Sequence, residues 1–378
     1  MRLKSFCPSA SAYKKILHLT LLAAVLGLSL LLVAGNSADN KNPETKAKPD
    51  TGAAKIETTR TVSGNDVDVV SVAAIRRLKD GKTVKVLFNE KEQIFTLDVS
   101  EKPAQELVRT LEEAFKNQKP LKLAADPHRA TIKSVAVPTE KEMKLFLSIR
   151  KDLLKSEKPL TIDLKKIDTT KFDDIKNLPF PVWKLCTKIV PNYAKAKEIF
   201  DYCAKQSCNL PGPYDIAPCI PFQYVRDGCY ARAHKMKWII TNHFGYCCEK
   251  VFSFANQNDD ELAVVASKWG GCCVMWWYHV APVIRVKTSI KLKEKILPLT
   301  LAYVIDPGMF DKPVLLSTWL QAQAKTNCTP HAKVSTYTIQ PASAYSPANY
   351  AGTAFTTDPA YVATDATLNA YKNLVTCP

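Results

Sequence analysis

Hydrophobic positions change character three times along the chain. The first 66 residues hold one unbroken apolar run, "ILHLTLLAAVLGLSLLLVA" (16–34), with Arg2, Lys4, Lys14 and Lys15 ahead of it and the small residues "GNSADN" after it. That order, basic then apolar then small, predicts a signal peptide over 1–38, cut near 33–38. The run is also long enough to serve as a signal anchor, the competing reading. Residues 39–66 are polar, with Pro, Lys, Thr and Asp and little to bury, which predicts a disordered linker.

From residue 67 the pattern becomes that of a small folded unit. "KTVKVLFNEKEQIFTLDV" alternates well enough for two strands joined by a turn at 89–91. "PAQELVRTLEEAFKNQ" places Leu107, Leu111, Ala114 and Phe115 at helical spacing, with Pro103 near the start. "TIKSVAV" reads as a further strand. "TEKEMKLFLSIRKDLLK" reads as a helix opened by a capping box between Thr139 and Glu142. The unit, 67–155, is α+β and contains no cysteine. A charged, proline-punctuated connector follows over 156–184, suited to proteolytic processing.

Residues 185–378 have a different make-up. Of twelve cysteines, one precedes the apolar run and the other eleven fall between Cys186 and Cys377. Such density suits an oxidising compartment, where disulfides persist and restrict the unfolded chain. Eleven is odd, so a thiol is left over if the rest pair; Cys208 and Cys219 are spaced for a short local bridge. "YAKAKEIFDYCAKQ" and "CYARAHKMKWIITNHFG" read as helices, the second ended by Gly245. "CEKVFSFAN", "CCVMWWYHVAPVIRVK" and "LAYVIDP" read as strands. One helix packed on an antiparallel sheet is the simplest α+β arrangement. A cysteine-free unit between a signal and a cysteine-rich module is the layout of a secreted proenzyme; two permanent domains are the alternative.

The net charge of +16 changes this picture little. The basic residues are scattered among Asp and Glu, and no zinc finger, phosphate loop or RNA-binding motif accompanies them, so nucleic acid is not an expected partner. The paired cysteines 247–248 and 272–273 lack the C-x2-C spacing of structural zinc, and no metal or organic cofactor is expected.

Cys229, in "RDGCYARAHKM", opens a helix directly after Asp227 and Gly228, which would supply a cap and a close turn. The unpaired N–H groups and the positive end of the helix dipole there favour a thiolate. His234 lies five residues on, about 500° around the helix, so the two side chains diverge by about 140°. His279, in the strand-like "WWYHVAP", is the better base. Asp306, at a strand end in "YVIDPGMF", could orient it. Cys, His and Asp in this order compose a thiol-hydrolase triad. The competing reading makes Cys229 a half-cystine, His279 a satisfied core residue and Asp306 a turn cap.

"DGCYARAHKM", "CEKVF", "CCVMWWYHVAP" and "VIDPGMF" resemble, in order and wording, the secreted bacterial protein-glutamine glutaminases, over most of residues 203–350. The resemblance implies a papain- or transglutaminase-like core in 185–378. It also implies a signal–propeptide–mature precursor, and a triad of Cys229, His279 and Asp306 that deamidates glutamine side chains in intact proteins. Expected partners are proteins with exposed glutamine, the chain's own propeptide as inhibitor, and an activating external protease; the expected form is a secreted monomer. The chain departs from the family pattern by greater length around "NQNDDELAVVASKWGG" and before "YVIDP", which bears on substrate preference. A transamidase, a cysteine protease and a disulfide-stapled binding domain are the rival readings. The strand-like "NEKEQIFTLDV" is the expected plug of the cleft, with Gln93 either imitating substrate or merely an exposed hairpin residue.

Overall fold

The computed structural model describes residues 68–150, 188–255, 260–292 and 295–378, with side chains for all of these outside 290–297. The expected signal peptide, linker and connector lie outside the described residues.

The N-terminal part is a six-stranded sheet with two helices. Its elements are β1 (Val69–Val70), β2 (Val72–Arg77), β3 (Thr83–Phe88), β4 (Phe95–Asp98), α1 (Lys102–Lys116), β5 (Leu121–Asp126), β6 (Thr131–Ala136) and α2 (Glu140–Arg150). The sheet order is β1-β5-β6-β4-β3-β2; all pairs are antiparallel except β4 with β6. Proline in the first turn of α1 fits the helix start, where its missing N–H has no intrahelical partner. The helix buries Val108, Leu111 and Ala114 against the sheet, whereas Phe115 is largely exposed. The capping box forms as expected: the Thr139 amide donates to Glu142 Oε2 at 2.7 Å, and the Glu142 amide to Thr139 Oγ1 at 3.3 Å.

The C-terminal part runs α3 (Tyr193–Lys205), α4 (Cys229–Trp238), a π turn (Ile239–His243), β7 (Glu249–Phe254), β8 (Leu262–Val265), β9 (Cys273–Trp276), β10 (Tyr278–Leu292) and β11 (Lys295–Val304). It continues with β12 (Val314–Leu315), α5 (Leu316–Gln321), β13 (Thr336–Pro341), β14 (Ala344–Pro347), β15 (Phe355–Thr357) and α6 (Val362–Tyr371). Five strands form one antiparallel sheet, β12-β11-β10-β7-β13, with α4 packed across β10. The apolar stretch through residue 277 is broken in two. Trp277 leaves the ladder, so β9 pairs with β8 in a separate ribbon while β10 enters the main sheet.

Described disulfides join Cys208 to Cys219, Cys272 to Cys377 and Cys273 to Cys328, and Cys247 is also bridged. The expectation of a single free thiol is corrected. Cys203 and Cys248 are unpaired as well as Cys229, because both lie in the apolar core, where a cysteine packs as a small hydrophobe. Burial pushes the Cys248 thiol up to about 12, and Cys203 higher still.

The two parts share a core. Leu87 and Ile94, on either side of the β3–β4 connection, join the cluster of Cys229, Tyr230, Phe252, Trp277 and Tyr278. Burying a side chain of this size contributes roughly 1.5–3 kcal/mol, so these two residues clamp the connection between them onto the C-terminal part.

Candidate active site

Register brings His279 and Asp306 together. Val283 of β10 pairs with Val304 of β11, and the Ile305 amide donates to the Pro282 carbonyl at 3.0 Å. Two residues beyond Val304, Asp306 therefore sits diagonally across from His279 on the same face. His279 Nε2 lies 3.0 Å from Asp306 Oδ2, which also accepts from Trp319 Nε1 at 2.9 Å. The imidazole is stacked between Trp276, 4.3 Å away and nearly parallel, and Trp319 at 5.4 Å. Its ring is fixed in plane and position.

Cys229 is the first residue of α4, and the helix packs against β10. Gly228, at φ 83°, makes the turn into it; a Cβ there would also come within 2.9 Å of the Tyr371 ring. Glycine is required twice over. Asp227 does not cap the helix as expected. Its carboxylate instead accepts from Tyr371 Oη at 2.6 Å and from the Glu92 amide at 3.0 Å.

Glu92, in the β3–β4 connection, is the residue that enters the site. Its side chain is fully buried. One oxygen, Oε1, accepts from the Cys229 amide at 3.1 Å and from Arg232 Nη2 at 3.3 Å. The other, Oε2, lies 3.1 Å from His279 Nδ1. The carboxylate thus occupies the N-terminus of α4, where the dipole and the free N–H groups attract an anion. The main chain is held too: the Glu92 carbonyl accepts from the Trp277 amide at 3.1 Å, and Trp277 Nε1 donates to the Lys91 carbonyl at 2.7 Å. Gln93 is not in the site. It is buried, bridges to Trp276 through the backbone, and sends its side-chain amide to the Pro127 carbonyl at 3.3 Å.

These neighbours reset the protonation states. Burial first, then the Glu92 charge, raises the Cys229 thiol well above its ordinary value, the reverse of the shift expected from the helix start alone. Burial alone would discharge His279, but the hydrogen bonds its ring donates to Asp306 and Glu92 outweigh it and raise its pKa. Both ring nitrogens face carboxylates, and the imidazolium satisfies both. Asp306 is buried, which alone would raise it, yet His279 and Trp319 bring it below the usual range.

Sequence reasoning missed two members of the constellation, Glu92 and Arg232. Arg232 lies three residues after Cys229 on one helix, and that spacing was the available signal. Its Nη1 is pinned by the carbonyls of Tyr224 and Asp227, each at 2.6 Å, which aims Nη2 at Glu92. His234 points elsewhere, as its helical angle required. It is buried, with Nε2 donating to the Asp358 carbonyl at 3.1 Å and Nδ1 accepting from Lys250 Nζ at 2.7 Å. Burial and the adjacent lysine hold it well below the usual histidine range. Donor atoms of Glu92, Cys229 and His279 lie within 4.8 Å of one another, near enough to share a metal ion. The hydrogen bonds above already account for their convergence.

A family model described as glutaminase matches residues 196–323. The crystal structure of a pro-protein-glutaminase is similar to 82% of this chain and 94% of its own length, at 25% identity and TM-score 0.58. The protein-glutaminase from Chryseobacterium proteolyticum, known from an NMR structure, is 32% identical over 50% of this chain and 91% of its own, with TM-score 0.42. No curated protein sequence matches the chain. The chain belongs to the protein-glutaminase family, hydrolases of the side-chain amide of glutamine in proteins.

Proposed function

We propose that the chain is the secreted precursor of a protein-glutamine deamidase whose triad is Cys229, His279 and Asp306, on a papain- or transglutaminase-like core. The observation that carries this reading is the seating of Glu92. Glutamate is the product of glutamine deamidation, and each of its oxygens meets a group with a task in the reaction.

In the substrate, the amide oxygen takes the place of Oε1 and the amide nitrogen that of Oε2. With the neutral amide in place of the Glu92 carboxylate, His279 takes the Cys229 proton as the sulfur attacks the amide carbon, and the charge that develops on oxygen falls between the Cys229 amide and the Arg232 guanidinium. His279 delivers its proton to the departing nitrogen, releasing ammonia and leaving a thioester. A water then attacks, His279 takes its proton, and glutamate departs as the Cys229 thiol re-forms. Asp306 holds the imidazole in orientation throughout.

With Glu92 seated, Cys229 is covered and its thiol form favoured, so residues 67–155 act as an inhibitory propeptide until an external protease opens the connector. The test uses the full chain. Glu92→Gln places a substrate side chain on the catalytic groups; we expect stoichiometric ammonia and conversion of residue 92 to glutamate, by peptide mass mapping. Cys229→Ala in the same background keeps the glutamine. Persistence of glutamine at position 92 in the folded single variant would refute the assignment.

A further inference from the structure

Glu92 shows how a substrate chain would run through the site, and the residue before it has a socket of its own. Lys91 is almost wholly buried, its side chain 4% exposed. Its ammonium donates to Tyr371 Oη at 2.8 Å and lies 3.6 Å from Asp227 Oδ2. The nitrogen stands 5.4 Å from the centre of the Tyr371 ring. Tyr371 in turn donates to Asp227 Oδ2 at 2.6 Å, so the hydroxyl accepts from lysine and passes its own proton toward the carboxylate. A third group, Asp68 at 3.8 Å, belongs to the N-terminal part and would leave with it. Tyr371 and Asp227 would stay.

Main-chain bonds flank this position on both sides. The Lys91 and Glu92 carbonyls accept from Trp277, and the Glu92 amide donates to Asp227. None of these bonds depends on side-chain identity, so any peptide laid along Trp277 would adopt the same register. Asp227 serves twice: Oδ1 takes the amide of the reacting residue, and Oδ2 faces the side chain before it. An acidic side chain in this socket would meet the Asp227 carboxylate, and an apolar one would leave Asp227 and Tyr371 without a cationic partner.

Resting on the deamidase reading, we infer that Asp227 and Tyr371 form a specificity subsite for a basic residue, lysine foremost, immediately before the reacting glutamine. The socket opens beside a cavity of about 690 Å³ that Tyr224, Asp227 and Tyr371 line on one side and N-terminal residues such as Phe95 and Leu123, which would leave, on the other, so the socket is open-ended toward the longer arginine.

The test uses full chain trimmed by limited trypsin treatment, with the trypsin then inhibited, and reads ammonia release. Peptides Ac-Phe-Asn-Glu-Xaa-Gln-Ala-Ile-NH2 carry lysine, acetyl-lysine, norleucine or glutamate at Xaa, with casein as a general substrate. We expect kcat/KM for lysine to exceed norleucine and acetyl-lysine by roughly tenfold, and glutamate by more, as for a hydrogen bond to a charged group. Tyr371→Phe should shrink the lysine-to-norleucine ratio several-fold. Because norleucine keeps the aliphatic stem without the ammonium, and acetyl-lysine keeps the nitrogen without its charge, the wild-type protein alone decides the matter even if that variant folds poorly. Casein turnover with equal rates on all peptides, or with none, overturns the subsite and leaves the deamidase reading intact. Failure to convert casein and peptides alike overturns both.

Discussion

In the proposed reaction Cys229, His279 and Arg232 have separable tasks, which substitution would distinguish. Cys229→Ala should abolish ammonia release, and His279→Ala should lower kcat by about a thousandfold or more, without unfolding the protein. His234→Ala should behave oppositely. Its loss leaves the buried Lys250 ammonium, which burial brings down to about 7, and the Asp358 carbonyl without their shared partner. Turnover should be largely kept while stability falls by about 1–3 kcal/mol, seen as a lower Tm. Arg232→Met should reduce kcat by about 100-fold or more in the trimmed protein, with Arg232→Lys recovering part, because a cation near the developing oxyanion is retained. Equal losses in both would leave Arg232 a purely structural anchor for the Tyr224 and Asp227 carbonyls.

At the scale of elements, the β3–β4 connection lies against Cys229 and, in the proposed precursor, controls whether the thiol is available. Glu92→Ala removes the carboxylate that raises the Cys229 pKa and caps α4. Iodoacetamide labelling of Cys229 in the full chain should then become faster by about tenfold or more; an unchanged rate would mean that burial alone controls the thiol. Much of this arrangement was legible in the sequence, for particular reasons. The alternation on both sides of residues 89–91 predicts the hairpin, although its connection runs on to residue 94, and the helical angle excludes His234. The β-branched run ending at Asp306 placed that carboxylate near a strand end. What was not legible depended on tertiary register. Nothing local distinguishes Glu92 from Gln93; the fold chooses between them because Leu87 and Ile94 are anchored in the shared core, turning residue 92 toward α4. The break at Trp277 has no local signature because its amide bonds to the distant Glu92 carbonyl, and β8, β14 and β15 are only three or four residues long, too short for a periodic pattern.

For the whole molecule, proteolysis should release the seated N-terminal part, and alkali should lower the stability of the intact chain. Limited trypsin treatment of the full chain should raise deamidation of casein by at least about tenfold as residues 67–155 are lost. A precursor as active as the trimmed form would make that part a permanent partner. The pH dependence follows from His279, which faces Glu92, Asp306, Cys229 and, across Glu92, Arg232. Its pKa is raised in the folded chain, so its contribution to stability is complete below the ordinary 6.5 and fades as pH climbs through the raised value. Asp306, lowered by its partners, contributes above 3.8 and loses that contribution as pH falls through its reduced value. The Tm of the full chain should therefore decline on the alkaline side of 6.5, and less steeply in Glu92→Ala, where one of the two carboxylates facing His279 is gone. Parallel slopes would assign the decline to other groups.

Glu92 also has a consequence for heredity. If the site converts a glutamine seated behind Lys91, a codon change that writes glutamine at position 92 is undone after translation, because the chain edits its own residue back to glutamate. The position is then protected against one of its most accessible single-base substitutions by chemistry rather than by selection against the altered protein. Lineages could carry either codon and display the same latch.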